Sequence, residues 1–174
     1  MNDKERVRWT IEVLNRSHER ENFDCGNSKL NEYLKKYALQ NQKARYSVTY
    51  IASIKGNKEI AGYYCSSASA IEFANIPLQQ QKRLPKYPAP VMLIGQLAVD
   101  RRLQGKGLGK ILLMHALSSA VKISEEIGVY VVRVDAIDEE AKRFYLKYGF
   151  VPLQDNDCSL ILPLKTIINS RHSS

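Results

Sequence analysis

The feature that most constrains the fold is a succession of an apolar segment, a glycine-rich turn and an apolar helical pattern between residues 91 and 128. VMLIGQLAV is a continuous apolar run of strand length, typical of a strand buried on both faces. The turn RRLQGKGLGK follows it, and then a helical pattern that Gly128 ends at a C-cap position. Because VYVVRVDAI is a second buried-strand pattern, we predict a right-handed crossover between two parallel strands, with the turn at the end of the first.

The glycine turn predicts a site for an anionic group. Gly105, Gly107 and Gly109 stand where exposed main-chain amides and the positive end of a helix dipole converge. Two familiar phosphate-binding patterns do not fit, because no Lys-Ser or Lys-Thr follows a glycine at the nucleotide-loop spacing and the glycines run G-x-G-x-G rather than G-x-G-x-x-G. A flexible helix-opening loop is the alternative, but the flanking strands and helix favour a phosphate site.

The length and composition indicate one domain. A chain of 174 residues can bury one ordinary core, so we predict a single domain over residues 1–170 and a tail over residues 171–174. No apolar run reaches the roughly 20 residues of a membrane helix, and the start MNDKERVRWTIEV lacks a signal-peptide core. Cys25, Cys65 and Cys158 suggest neither a disulfide framework nor a metal site, which favours a reducing cytoplasm.

The remaining segments predict further strands and helices. Residues 8–14 alternate as a first strand, and apolar residues at helical spacing predict a helix from Ser28 to about Gln42, capped by Asn27 or Ser28. SVTYIASI and EIAGYYCSSASAIEF flank a Gly-Asn pair and predict a hairpin, whereas the four prolines of IPLQQQKRLPKYPAP predict a long exposed loop that can include a short helical turn. Asp138 can cap a helix EEAKRFYLKY, and SLILPL is a final strand.

The net charge of +8 is concentrated beside the glycine turn. The window from Gln81 to Lys110 has one acid, Asp100, and seven basic residues: Lys82, Arg83, Lys86, Arg101, Arg102, Lys106 and Lys110. A single diphosphate needs only some of these cations, so the window favours a second polyanion such as an RNA backbone. A solvated basic face is the alternative.

The glycine turn also resembles the signature of a known family. Arg102-Leu103-Gln104-Gly105-Lys106-Gly107 matches the R/Q-x-x-G-x-G/A pattern of the GCN5-related N-acetyltransferases, or GNATs. FDCGNSKLNEYL, LPKYPAPVMLIGQLAVDRRLQGKGLGK, DAIDEEAKRFYLKYGFVPL and LILPL resemble the acetyltransferase toxins of bacterial toxin–antitoxin pairs. The resemblance implies a GNAT fold of the α/β (α+β) class, with a central, mixed, mostly antiparallel sheet of six to seven strands flanked by helices and a parallel pair that splays at the cofactor site.

The resemblance implies acetyl-CoA as cofactor and acetyl transfer to the α-amino group of aminoacyl-tRNA, which halts translation. The glycine turn would hold the coenzyme A diphosphate, and amides of the preceding strand would polarise the thioester carbonyl and pair with the pantetheine arm. The implied cofactor-binding residues are Leu97, Ala98, Val99, Arg102, Gln104, Gly105, Lys106, Gly107, Leu108, Gly109 and Lys110.

Tyr145 matches the tyrosine that such enzymes use as general acid toward the coenzyme A sulfur, and a packing role is its alternative. A phenol with a pKa of about 10 stays protonated at neutral pH and can donate to a thiolate. The α-amino group has a pKa of about 7.7–8.0, so a useful fraction is already neutral and no strong base is required. We therefore assign no catalytic role to His18, His115 or His172, and we predict no metal.

The basic window supplies Lys82, Arg83, Lys86 and Arg101 as candidate RNA contacts. The resemblance further implies a ribbon-helix-helix antitoxin as partner and a homodimer. Two alternatives remain for the function: a GNAT that acetylates a protein N-terminus or a small amine, and an idle GNAT fold that acts as a binding module. A basic mouth disfavours polycationic amines.

Overall fold

A computed structural model describes residues 8–173. The strands are β1 (Trp9–Val13), β2 (Val48–Ile54), β3 (Gly62–Ile71), β4 (Ala89–Val99), β5 (Val131–Asp135), β6 (Val151–Pro152) and β7 (Ser159–Pro163). The helices are α1 (Ser28–Glu32), α2 (Ala38–Lys43), α3 (Leu78–Gln81), α4 (Leu108–Ile123), α5 (Glu139–Lys147) and α6 (Leu164–His172). A π-helical turn spans Tyr33–Tyr37, and 3₁₀ turns span Phe73–Asn75 and Arg101–Leu103.

The seven strands form one mixed sheet in the order β1-β2-β3-β4-β5-β7-β6. β1 is antiparallel to β2, and β7 is antiparallel to β5 and to β6, whereas β4 and β5 are parallel. This confirms the predicted mixed sheet with a parallel pair. Within the described residues, the β4–β5 register begins at Val91 and ends at Ile94, although β4 itself continues to Val99. The last residues of β4 therefore extend beyond the parallel pairing.

The first of two compact units comprises residues up to 65 together with residues 96–114. Its core contains the fully buried Leu34, Ile51 and Tyr63. The Tyr63 hydroxyl donates a hydrogen bond of 2.8 Å to the carbonyl of Leu30 in α1, and its ring centre lies 5.6 Å from that of Phe23. A buried phenol needs such an acceptor, so this bond fixes α1 against β3.

Gly62, the first residue of β3, allows α4 to approach the sheet within this unit. A Cβ at this position would lie 3.0 Å from the carbonyl oxygen of Ala98 and 3.0 Å from a methyl group of Leu112. The side chain of Leu108, the first residue of α4, would be 3.3 Å away. Such distances are shorter than ordinary van der Waals contacts, so a side chain at Gly62 would displace the beginning of α4.

The second unit comprises residues 66–95 and the residues from 115 onward. Its core contains Ile76, Val131 and Ile161. The carboxylate of Asp138 caps α5 by accepting a hydrogen bond of 2.7 Å from the Ala141 amide. The C-terminal end of α5 is followed by Gly149 at φ +89°. Both ends of this helix confirm the expectation from the sequence.

Four features differ from that expectation. The helix that follows the glycine turn ends at Ile123 instead of at Gly128, and the φ angle of Gly128 is not in the left-handed region of a glycine C-cap. The helix predicted from Ser28 to Gln42 is interrupted by the π-helical turn, in which the Ala38 amide bonds the carbonyl of Tyr33. β6 and α6 are absent from the predicted elements. β6 has only two residues, and α6 buries only Leu164 and Ile167, which is too little for a detectable period. None of the helices in the described part of the chain is long and apolar enough to cross a membrane.

Replacing Gly62 with alanine should lower the free energy of unfolding by about 1–3 kcal/mol, because the added methyl group overpacks the contact with Ala98 and Leu112. Urea denaturation followed by circular dichroism measures this difference. Gly128→Ala is the matched control, since a Cβ there meets only Pro90 at 4.0 Å and φ is not in the left-handed region. Equal destabilisation by both substitutions would contradict the assigned contact.

Candidate functional site

The glycine turn connects β4 to α4 within the first unit. Gly105 and Gly107 have φ angles of +74° and +84°, in the region that favours glycine. A Cβ at either position would have no heavy atom within 4 Å. Backbone conformation, rather than lack of space, therefore accounts for these two glycines, and the turn is open on that surface.

The main-chain amides at the beginning of α4 indicate a phosphate site. The first hydrogen bond of the helix runs from the Ile111 amide to the Gly107 carbonyl, at 3.2 Å. Over residues 8–173, no protein acceptor takes the amides from Gly105 to Lys110. These donors lie at the positive end of a 16-residue helix, and the exposed Lys106 and Lys110 add positive charge. The donor set therefore fits the diphosphate of coenzyme A.

Asp100 is a fully buried carboxylate that holds this turn at the end of β4. Its Oδ1 accepts hydrogen bonds from the Arg102 amide (3.0 Å) and Nε (2.8 Å), and its Oδ2 accepts from the Arg102 Nη2 (3.0 Å) and the Asp24 amide (3.2 Å). Burial raises the pKa of the Asp100 carboxyl, but these hydrogen bonds outweigh burial, so the pKa lies below its ordinary value. Asp100 is therefore ionised at neutral pH and caps the 3₁₀ turn that follows.

Arg102, the arginine of the signature, is held by two carboxylates. Besides its bonds to Asp100, its Nη2 lies 2.9 Å from Glu59 Oε1. The hydrogen bonds to Asp100 and then to Glu59 raise the pKa of the guanidinium. In this arrangement the Arg102 side chain shapes the turn, and its predicted contact with the cofactor stays a prediction.

The segment before α1 is tied to the same turn. The side-chain amide of Gln104 donates to the carbonyls of Cys25 (3.0 Å) and Val99 (2.9 Å). The Arg101 amide donates to the Asp24 carbonyl at 2.8 Å, and its guanidinium pairs with the Asp24 carboxylate at 2.9 Å. The turn is thus braced from residues 24 and 25, which lie far from it in sequence.

The end of β4 presents amides in two directions. The Asp100 amide donates to the Ala61 carbonyl at 2.8 Å, on the β3 side. Because successive amides of a strand point to opposite edges, the Ala98 amide shares this direction and the amides of Leu97 and Val99 point the other way. The register with β5 ends before these residues, so Leu97 and Val99 are the donors suited to a thioester carbonyl or a pantetheine amide.

Tyr145 lies in α5 of the second unit and is 7% exposed. Its ring centre is 5.2 Å from that of Phe144 and 5.6 Å from that of Phe150. The Tyr145 carbonyl accepts from the Tyr148 amide at 3.0 Å and the Phe150 amide at 3.3 Å. These contacts fix the position of the ring, as a general acid requires.

Three of the four predicted RNA contacts are exposed in the second unit. Lys82, Arg83 and Lys86 lie between α3 and β4, and Arg83 has a left-handed φ of +68°. Of the ion pairs in the described residues, none includes these three side chains. Arg101 differs, because its charge is balanced by Asp24.

The histidines lie in environments that suit structural roles. His18 is buried, with its Nε2 2.7 Å from Glu12 and its Nδ1 accepting from the Asn15 amide. Burial lowers the pKa of His115. The predicted tail position of His172 is wrong, because this residue ends α6 and its ring lies 2.9 Å from the Ile168 carbonyl. In the described part of the chain, no three His, Cys, Asp or Glu side chains cluster as metal ligands would.

The bracing carboxylates are the functional residues that sequence reasoning missed. Asp100 was visible only as the single acid of a basic window, although an aspartate between a strand and an Arg-Arg pair is a plausible turn cap. Asp24 and Glu59 carry no local signal, since they meet the turn only through the fold.

Known proteins resemble this chain over most of its length. The model of the acetyltransferase (GNAT) family matches residues 11–150. A tRNA-acetylating toxin of Mycobacterium tuberculosis is 32% identical over 143 residues, which cover 82% of this chain and 84% of that protein. The probable toxin TacT of Sinorhizobium fredii is 30% identical over 158 residues, covering 86% of this chain and 87% of the relative.

Solved structures of similar proteins agree in fold. AtaT complexed with acetyl-methionyl-tRNAfMet has a TM-score of 0.87 at 32% identity and covers 93% of this chain and 98% of its own. AtaTR bound with AcCoA has a TM-score of 0.81 at 32% identity, with coverage of 92% and 96%. A tyrosine-to-phenylalanine mutant of the toxin AtaT bound to the C-terminus of the antitoxin AtaR has a TM-score of 0.80 at 29% identity, with coverage of 92% and 96%.

Asp100→Asn should weaken the binding of acetyl-CoA about tenfold, because a neutral amide cannot replace the charge-assisted hydrogen bonds that hold the turn. Isothermal titration calorimetry, performed well below the unfolding temperature, measures the Kd. Glu59→Gln is the control, because the Glu59 carboxylate contacts the turn through an exposed ion pair with the Arg102 guanidinium. We expect less than about a threefold change in that variant.

A second measurement on the same variant tests the charge itself. The lowered pKa means that the stabilisation by Asp100 is present above its unfolded-state value of 3.8 and is lost as the pH falls through the folded-state pKa. The unfolding free energy of Asp100→Asn should therefore fall less than that of the native chain between about pH 5 and about pH 3. Parallel pH profiles would contradict an ionised Asp100.

Proposed function

The chain belongs to the acetyltransferase (GNAT) family, and we propose that it transfers the acetyl group of acetyl-CoA to the α-amino group of aminoacyl-tRNA. The observation that carries this proposal is the similarity to a tRNA-acetylating toxin over most of both chains. The structure of AtaT with acetyl-methionyl-tRNAfMet, a product of such a reaction, supports the same substrate class. The consequence would be a block of translation, since an acetylated α-amino group can no longer form a peptide bond.

In this proposal the first unit binds and orients the cofactor. Acetyl-CoA supplies a thioester whose acetyl group is transferred to an amine. The amides from Gly105 to Lys110 bind its diphosphate, with Lys106 and Lys110 balancing the negative charge. The amides of Leu97 and Val99 donate to the carbonyl oxygen and to the pantetheine arm. Their rigid placement in β4 favours the charge that develops on that oxygen.

No strong base is needed for the acceptor in this mechanism. An α-amino group with a pKa of about 7.7–8.0 is partly neutral at the pH of the cytoplasm. The histidines do not contradict this, because His18 is held by Glu12 and the Asn15 amide and His172 lies at the end of α6.

We assign the general acid to Tyr145, which would protonate the departing sulfur. Its burial at 7% exposure and its two aromatic neighbours hold the ring in one place. A tyrosine-to-phenylalanine mutant of AtaT has been studied, which supports a functional role for a tyrosine hydroxyl in this family. Proton donation of this kind contributes about 10²- to 10⁴-fold to a rate.

The tRNA backbone would contact Lys82, Arg83 and Lys86. Their charges are exposed and are not balanced by any ion pair of the described residues. Arg101 would contribute less than its charge suggests, because Asp24 competes for its guanidinium at 2.9 Å. Phosphate contacts of this type make binding weaker as salt rises.

We also propose an antitoxin of the ribbon-helix-helix type, a homodimeric enzyme and a cytoplasmic location. The complex of AtaT with AtaR supports an antitoxin partner. Three cysteine thiols fit a reducing compartment, which is also where aminoacyl-tRNA occurs.

Labelled acetyl-CoA incubated with aminoacyl-tRNA should transfer its label to the RNA, and uncharged tRNA should stay unlabelled. Electrophoresis of the RNA on an acidic gel, which preserves the aminoacyl ester, measures the transfer. Mild base hydrolyses this ester and should therefore remove the label from the RNA. Label on uncharged tRNA or on protein would contradict the proposal that aminoacyl-tRNA is the substrate. Absence of cofactor binding would instead favour an idle fold.

Tyr145→Phe should reduce the rate of transfer by about 100-fold or more, since it removes only the proton donor. The Kd for acetyl-CoA should change by less than about twofold, because the ring still fills its place. Single-turnover kinetics and calorimetry measure the two quantities. Tyr148→Phe, at the residue that follows α5, is the matched control and should retain activity. Equal losses of rate and affinity in Tyr145→Phe would show a packing role.

A further inference from the structure

The turn at the C-terminal end of α2, residues 43–47, has an unusual structure. The Arg45 amide bonds the Gln42 carbonyl at 3.1 Å, and the Tyr46 amide bonds the Asn41 carbonyl at 2.9 Å. This pair of hydrogen bonds is the Schellman motif, which reverses the chain at the end of a helix. Glycine usually occupies the left-handed position of this motif, and the next residue usually packs its apolar side chain against the helix.

Both usual features are altered in this chain. Arg45 occupies the left-handed position with φ +62°, at a cost that glycine would avoid. Tyr46, which follows it, is 78% exposed instead of packed against the helix. The backbone is therefore strained at a residue that presents a cation, and the adjacent aromatic ring faces solvent. Local strain and an exposed ring together indicate a binding surface.

The charge around this turn is positive. Lys43 and Arg45 are exposed on either side of Ala44, and α1 through α2 adds Lys29, Lys35 and Lys36 against one acid. That acid, Glu32, is paired with Lys36 at 2.8 Å. Tyr37, at the end of the π-helical turn, is 47% exposed. Cations interleaved with exposed aromatic rings are typical of surfaces that bind single-stranded nucleic acid.

We propose that residues 43–47 bind single-stranded RNA, with a base stacked on Tyr46 and phosphates held by Lys43 and Arg45. Duplex RNA does not suit this surface, because its bases are already stacked on one another. A protein partner is disfavoured because the ring is set among cations rather than in an apolar patch. The source of the RNA rests on the proposed function, under which it is the unpaired 3′ end of the tRNA substrate.

The test measures binding without catalysis. A fluorescently labelled single-stranded RNA of about eight nucleotides and a duplex of the same sequence are titrated with the protein in the absence of acetyl-CoA, and anisotropy gives each Kd. We expect the single strand to bind more tightly. Tyr46→Ala should weaken its binding about fivefold or more, because base stacking on the ring is lost. Ile127→Ala, at another side chain exposed by 60%, should have no effect.

Two conservative variants identify the chemistry. Tyr46→Phe keeps a ring and should bind within about twofold of the native chain, whereas Tyr46→Leu keeps apolar area without a ring and should bind as weakly as Tyr46→Ala. If Leu binds as well as Phe, the contact is not base stacking and the proposal is wrong. Unchanged binding in Tyr46→Ala, or preference for the duplex, would also overturn it.

Arg45→Gly separates the strain from the contact. It should raise the urea midpoint, because glycine adopts the left-handed conformation without cost. It should also weaken RNA binding and reduce its salt dependence, since one phosphate contact is lost. Lys165→Ala, which removes an exposed lysine of α6, is the charge control. Because the RNA carries no amino acid and no cofactor is present, a failure of RNA binding in this test is distinguishable from a failure of acetyl transfer.

Discussion

The buried carboxylate of Asp100 is the interaction on which the candidate cofactor site depends. It accepts four hydrogen bonds from Arg102 and Asp24, in a position with no exposed surface. A buried charge is tolerated only where such partners surround it, so the carboxylate and the 3₁₀ turn that it caps require each other. The turn in turn sets where the open amides of residues 105–110 point. The candidate diphosphate site therefore depends on a buried carboxylate, although the surrounding sequence is strongly basic.

Around this carboxylate, some residues set the backbone geometry and others are left to contact a ligand. Gly62 admits the beginning of α4 against the sheet, and Gly105 and Gly107 supply conformations that other residues adopt at a cost. Arg101 and Arg102, two basic residues of the turn, form ion pairs with carboxylates of the protein. The main chain and the lysines are left for the ligand. This arrangement suits a reaction in which the cofactor carries the reactive bond and the protein supplies position and charge.

The two proposed RNA-binding surfaces follow from different kinds of observation. Lys82, Arg83 and Lys86 are exposed cations that form no ion pair with any residue the structure describes, which suits binding to a polyanionic backbone. The turn at residues 43–47 stands out as an exposed ring beside a strained arginine, which suits unstacked bases. The turn at residues 43–47 belongs to the first compact unit, and Lys82, Arg83 and Lys86 belong to the second. A substrate with a duplex stem and a single-stranded end presents both kinds of target.

The sequence by itself determined the strand, turn, helix and strand around residues 91–135, the cap at Asp138, and the glycines of the turn at residues 105 and 107, because these depend on local periodicity and on glycine conformations. It also pointed to Tyr145 through a motif. Only the tertiary structure decided that Arg102 pairs with Glu59, that Gln104 reaches the Cys25 carbonyl and that Tyr46 stays exposed. The first two contacts join residues 43 and 79 positions apart. Their strength depends on burial and on the packing of distant segments, which no local pattern of residues encodes.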